Sequence, residues 1–208
     1  MLINEIALDS EPKHLYTIDS YLNHMNQNRI NIEYEIILRL LKGNAYGREI
    51  AKELDISLTT IQRSLLELER KNILDIEIQG KNKIFSLKKN LMARNHIFNA
   101  ENYKLVKLLS HYPELGPVIT DVLGKSKSSL VILFGSYAKF SANKNSDIDI
   151  YLDTLNIKEK KEIEMVNSKI NAKIGKFDIN SLLIKEIIRN HVIIKGVEEF
   201  YEKTRFFE

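Results

Sequence analysis

The chain has 208 residues, 44% hydrophobic and 28% charged, with a net charge of +3. That is the make-up of a globular protein long enough for one large or two small cores. It contains no cysteine, which excludes disulfide staples, thiolate metal sites and a cysteine nucleophile, and fits a reducing cytosol. Met1–Glu5 lacks the basic start of a signal peptide and no apolar run reaches membrane-spanning length, so a soluble cytoplasmic protein is expected. The small positive charge allows nucleic-acid contact only through a local patch.

Residues 1–32 are mixed and polar, with Pro12 among scattered apolar positions, and read as an N-terminal arm with a short helix. From Glu33 onward Ile36, Ile37, Leu40 and Leu41 recur at helical spacing and Gly43 marks a stop. Gly47, Ile50, Ala51 and Leu54 form a second short helix. Ser57 or Thr59 can cap a third, which carries Ile61, Leu65 and Leu68 on one stripe. Asp75–Gln79 and Lys83–Leu87 then alternate with period two around Gly80-Lys81-Asn82, the pattern of a β-hairpin. Residues 91–124 return to helical periodicity, broken by Pro113 and Gly116-Pro117; the part over 91–114 forms a connector whose helix over 91–112 is a candidate homodimer face. A helix is expected from Leu115.

Leu130–Phe134 is a continuous apolar run, too short for a helix, and reads as a strand buried on both faces. Asp147–Leu152 gives a second strand, Lys158–Ala172 a helix, Phe177–Ile184 a third strand, and Ile184–Asn190 a closing helix before a mixed segment, His191–Phe207. Alternate residues of a strand share a face, so Asp147 and Asp149 project to one side while Ile148, Ile150 and Leu152 go to the other. Two carboxylates on one rigid strand make an oxygen-rich site suited to Mg²⁺ or Mn²⁺. Gly135, just beyond the buried strand, lets backbone N–H groups approach a phosphate, and the Ser136 hydroxyl can donate to it.

This string, an apolar strand, Gly135-Ser136, a short helix and Asp147-Ile148-Asp149, resembles the minimal nucleotidyltransferase domain of the DNA polymerase β superfamily. The resemblance runs from about Leu115 to the C-terminus and departs at Lys139-Phe140, where many members have Arg-Gly. It implies a third metal-binding carboxylate, assigned to Asp178, and a Mg-dependent transfer of a nucleoside monophosphate, AMP from ATP, to a hydroxyl. The implied mechanism is two-metal: Asp147 and Asp149 hold both ions or one shared ion, Asp178 completes the nucleophile-side metal site, and Asp178 is also a candidate general base. Lys139 and Lys144 are candidate phosphate neighbours. It also implies a protein acceptor such as a helical toxin modified on Tyr.

Three helices followed by a hairpin is the winged-helix order, and Leu54–Leu74 resembles the helix-turn-helix of prokaryotic regulators. The resemblance places the third helix in the major groove, and the face opposite its apolar stripe carries Thr59, Thr60, Gln62 and Arg63, groups able to meet base edges and phosphates. The hairpin offers Lys81 and Lys83, followed by Lys88 and Lys89, with no acid between them. Residues 33–90 hold eleven Lys/Arg against nine Asp/Glu, so any DNA-binding face has to be polarised. The expected fold is α/β or α+β: an arm over 1–32, a winged helix over 33–90, a helical connector over 91–114 and a nucleotidyltransferase domain with a small mixed sheet over 115–208. The alternative function is a DNA-binding regulator or antitoxin-like protein whose transferase domain senses nucleotide or binds a partner without turnover.

Overall fold

A computed structural model describes residues 31–208; the arm expected over residues 1–32 falls almost wholly outside them. Helix α1, Ile32–Leu40, buries Ile36, Ile37 and Leu40 and carries Glu33 and Glu35 in its first turn, where carboxylates favour the positive helix end. A short strand β1, Ala45–Tyr46, leads into α2, Gly47–Leu54, which stops at Asp55 in a left-handed conformation. Helix α3, Leu58–Arg70, is capped by Ser57, whose hydroxyl accepts from the Thr60 amide, and buries Ile61, Leu65 and Leu68. Strands β2, Leu74–Gln79, and β3, Asn82–Leu87, pair antiparallel with Gln79 opposite Asn82. The turn between them uses Gly80 at φ 63°, a backbone angle that costs glycine nothing. With β1 on the other side of β3, these elements make the winged helix expected from the sequence.

The connector is helix α4, Leu91–His111, capped by Asn90. It buries Ala93, Ile97 and Ala100 and packs against α1. Helix α5, Leu115–Lys125, follows, and then a four-stranded sheet whose first two strands in sequence lie at the centre and whose third and fourth form the two edges. Its centre is β4, Val131–Phe134, buried at every position, as a strand covered on both faces has to be. After the single turn α6, Gly135–Ala138, strand β5, Ile148–Asp153, pairs antiparallel to β4. Helix α7, Ile157–Glu164, crosses to β6, Ile170–Gly175, which pairs parallel to β5. Helix α8, Leu182–Arg189, strand β7, Val192–Lys195, and helix α9, Val197–Lys203, complete the chain.

Two expected elements are corrected. The helix expected over 158–172 ends at Glu164, and the strand expected over 177–184 lies earlier, at Ile170–Gly175. Ile170 and Ala172 alternate inward with period two, and the short Ala172 side chain hid that alternation inside an apparently helical run. The mixed segment after His191 holds the edge strand β7 and helix α9.

One face of this sheet, Ile132, Phe134, Tyr151 and Ile193, shares a continuous core with α1, α3, β3 and α4. The other, Val131, Leu133, Ile150 and Leu152, packs with Leu108, Leu115, Ile119 and Ile163. Residues 32–208 therefore form one compact unit. Among the described residues no helix is long and apolar enough to cross a membrane.

Within the shared core lies Glu101 of α4, 1% exposed. Its Oε1 accepts from the Tyr201 hydroxyl at 2.9 Å, and His191 Nε2 stands 3.4 Å away. Burial pushes its pKa up, but the charges of Lys104 and His191 and the hydrogen bonds from His191 and Tyr201 outweigh it, holding the carboxyl at about 2 against the usual 4.5. A carboxylate with a lowered folded pKa contributes stability above its unfolded value and loses it as pH falls toward the folded one. Urea unfolding of the native chain is therefore expected to lose stability between about pH 4.5 and about pH 2 that Glu101→Gln does not lose, so the gap between the two chains narrows across that window.

Candidate functional site

Strand β4 delivers the chain to Gly135 at φ 71°. An L side chain is strained there, and space forbids one as well: a Cβ on Gly135 would lie 2.2 Å from Asp149 Oδ2 and 3.1 Å from its Cγ. Phe134 pairs with Asp149 across the sheet, so the tight turn and the carboxylate are brought together by sheet register. The turn is closed by Ser141 N donating to Ser136 O at 3.0 Å. Phe140 takes φ 55°, the left-handed angle that glycine would adopt without strain. Its ring stacks edge-on against His111, with centroids 5.8 Å apart, so packing against the connector holds the turn without a glycine.

Asp149 is half-buried, and Asp147, just ahead of β5, is exposed. Burial raises the Asp149 pKa; the Asn171 hydrogen bond lowers it, the Asp147 charge raises it, Lys173 lowers it and Glu186 raises it, leaving it above the usual carboxylate range. A divalent cation would reverse that imbalance, because it favours the ionised form.

The neighbouring strand presents Asn171, not a carboxylate, at this position. Asp149 and Asn171 are register partners in the parallel pair, and Asn171 Nδ2 donates to Asp149 Oδ1 at 2.9 Å. Asp178 is not brought to the pair. It lies in the exposed turn after β6, beyond the end where Asp153 faces Gly175 and Phe177 N donates to Asp153 Oδ1 at 3.0 Å. Four residues of strand separate Asp149 from Asp153, about 13 Å. The reason is the placement of β6: with the strand over 170–175, residue 178 has already passed the far edge of the sheet. Among the described residues no group of three His, Cys, Asp or Glu could hold a metal ion. Asp147 and Asp149, with the amide Asn171 in register beside Asp149, are oxygen donors of the kind a hard cation takes.

Lys139 is exposed and its Nζ pairs with Glu186 Oε1 of α8 at 3.1 Å. Glu186 therefore stands beside the site, a neighbour that the sequence did not suggest because α8 is far along the chain. Lys144 is exposed in the loop before Asp147, and its carbonyl accepts from Lys169 Nζ. Ser136 is partly buried at the start of α6.

Residues 118–205 match the family described as Polymerase beta, Nucleotidyltransferase. This segment, less than half of the chain, is similar to the polymerase-β-type nucleotidyltransferases. No curated protein matches the chain. Solved structures similar to the N-terminal half include the adhesin competence repressor AdcR from Streptococcus pyogenes, at 17% identity and TM-score 0.37, over 50% of this chain and 81% of that one. ZitR from Lactococcus lactis matches at 19% identity and TM-score 0.35, over 51% and 84%. The transcriptional repressor BigR from Xylella fastidiosa matches at 15% and 0.31, over 49% and 92%.

This segment follows a winged helix in which the face of α3 opposite its buried stripe is polar. On α3, Thr59, Gln62 and Arg63 are exposed. Thr60 is partly buried and its hydroxyl lies 2.7 Å from Ser57 Oγ, so it serves the helix cap more than an outward face. Lys81 and Lys83 are exposed on the hairpin, and with Gln62 they line a groove of 670 Å³ between α3 and the wing.

Proposed function

We propose that this protein is a nucleotide-responsive DNA-binding protein, in which Asp147 and Asp149 hold one Mg²⁺ with a nucleoside triphosphate and α3 with the hairpin contacts DNA. The observation that carries the nucleotide part is Asp149 packed against Gly135 with Asn171, not a carboxylate, in register beside it. Gly135 leaves the backbone of the turn open to a phosphate, and Ser136 can donate its hydroxyl. Lys139 and Lys144 supply cations near the turn, Lys139 being released from Glu186 when a triphosphate competes for it. A bound Mg²⁺ supplies charge neutralisation to the triphosphate. Asn171 orients Asp149 by donating to Oδ1 and carries no charge to attract a second ion. Asp178 has no part in the site.

The intact order of apolar strand, Gly135-Ser136 and Asp147-Ile148-Asp149 supports a second reading, transfer of AMP from ATP to a hydroxyl, including a hydroxyl on a protein partner. In that reading Asp147 and Asp149 would hold the metal with the triphosphate, as in the first, and the metal would lower the pKa of the acceptor hydroxyl. Incubation with labelled ATP, CTP, GTP and UTP and Mg²⁺ separates the two. Binding without pyrophosphate release is expected; label transfer that Asp147→Ala/Asp149→Ala abolishes would establish the second reading instead.

For DNA, Arg63→Ala is expected to weaken binding in a mobility shift on genomic fragments by about tenfold, the effect of losing one base or phosphate contact. Lys81→Ala/Lys83→Ala is expected to weaken all sequences alike and to lower the salt slope by about two. Equal binding by Arg63→Ala and the native chain would remove α3 as the reader.

A further inference from the structure

A second cavity, of 420 Å³, opens where α1 of the winged helix, the connector α4 and helices α8 and α9 meet. Its lining carries three cations, Lys42, Lys104 and Arg189, against one acid, Glu101. Phe200 and Phe206 give it an aromatic wall.

Glu101 is the telling group. Its Oε1 is occupied by Tyr201 at 2.9 Å and faces His191 at 3.4 Å. Its Oε2 is buried and has no hydrogen-bond partner among the described residues; Lys104 Nζ stands 3.8 Å away, too far for a hydrogen bond. Native proteins rarely leave a buried carboxylate oxygen unmatched, because the lost hydration is not replaced. Glu101 lines the cavity with aromatic rings and positive charge, while its Oε2 is closed to solvent and held only by the longer ion pair with Lys104.

We propose that this cavity binds a small organic anion with a planar ring and an N–H donor, the chemistry of a nucleoside monophosphate. The anion meets Lys42, Lys104 and Arg189, the ring lies against Phe200 and Phe206, and the N–H is directed to the Glu101 carboxylate as Lys104 turns from Oε2 to the anion. The volume lies within the usual range of small-molecule sites. The carboxyl held at about 2 is ionised at neutral pH and is an acceptor only, so it selects a ligand that brings the proton. Lys42 follows α1 while Arg189 ends α8, so the ligand bridges the winged helix and the nucleotidyltransferase domain.

The test uses the full chain carrying Asp147→Ala/Asp149→Ala in EDTA, which removes the metal-dependent nucleotide site proposed above and keeps the outcome independent of it. AMP, GMP, CMP and UMP are titrated by calorimetry, with the matching nucleoside and ribose 5-phosphate as separate arms. At least one monophosphate is expected to saturate one site per chain. Its nucleoside and ribose 5-phosphate are each expected to bind at least about tenfold more weakly, as are Lys42→Ala/Arg189→Ala and Glu101→Gln. Lys42 and Arg189 are exposed, so that double substitution leaves the core intact. Failure of all four to bind below about 1 mM, or unchanged affinity in Lys42→Ala/Arg189→Ala, would overturn the proposal.

Discussion

Gly135→Ala is expected to lower the affinity for a Mg²⁺-bound nucleoside triphosphate by more than about tenfold and to destabilise the fold by about 1–2 kcal/mol or more. Two effects combine. The backbone stands at φ 71°, where an L side chain is strained, and the new Cβ would lie 2.2 Å from Asp149 Oδ2 and 3.3 Å from Asp149 Cβ. Rotating the carboxylate away relieves the first contact only by taking Oδ2 out of the site and disturbing the hydrogen bond from Asn171. Gly80→Ala separates the effects. Gly80 has a similar φ of 63° but nothing within 4 Å of its added Cβ, so it carries the backbone penalty and keeps nucleotide affinity. Equal nucleotide binding by Gly135→Ala and Gly80→Ala would mean that Asp149 is not part of the site.

Asn171→Asp is expected to make the stability of the protein depend on a divalent cation. In a chelator at pH 7 the substitution replaces the 2.9 Å hydrogen bond to Asp149 with two facing carboxylates, costing about 1–3 kcal/mol. Asp149 already has a raised pKa, first from burial and also from Asp147, and a new like charge raises it further. A carboxylate whose folded pKa is raised is least destabilising when protonated, so the deficit shrinks as pH falls through that pKa. Mn²⁺ at neutral pH is expected to remove it too, raising the melting temperature of Asn171→Asp more than that of the native chain. If Mn²⁺ shifts the two chains equally, residue 171 does not face the cation.

Much of this was readable in the sequence. The winged helix followed from Ile61, Leu65 and Leu68 at helical spacing and from the period-two hairpin around Gly80. The Gly135-Ser136 turn and the Asp147/Asp149 pair followed from local spacing, because Phe134 and Asp149 sit in adjacent antiparallel strands. The third position did not follow, because it depends on the register of a parallel strand reached through a crossover helix. Nothing local fixes where β6 starts: Ala172 reads as helix or strand, and a shift of the strand by several residues exchanges Asp178 for Asn171. Glu186 and the Glu101 cavity were hidden for a related reason. Glu186 of α8 meets Lys139 across 47 residues of chain, and the cavity arises where α4, α8 and α9 converge, with Glu101 about a hundred residues from its partner Tyr201, so no sequence window contains either pair. His191, with no ligand-like spacing to other histidines, proved a satisfied core residue, its Nδ1 2.9 Å from Ile187 O.

The sharpest measurement is a Mn²⁺ titration followed by electron paramagnetic resonance, with a non-hydrolysable ATP analogue present throughout. One ion per chain is expected, lost in Asp147→Ala/Asp149→Ala and unchanged in Asp178→Ala. Two ions per native chain, none at all, or loss of the ion in Asp178→Ala would contradict a single-ion nucleotide site built on Asp147 and Asp149 with Asn171 beside them.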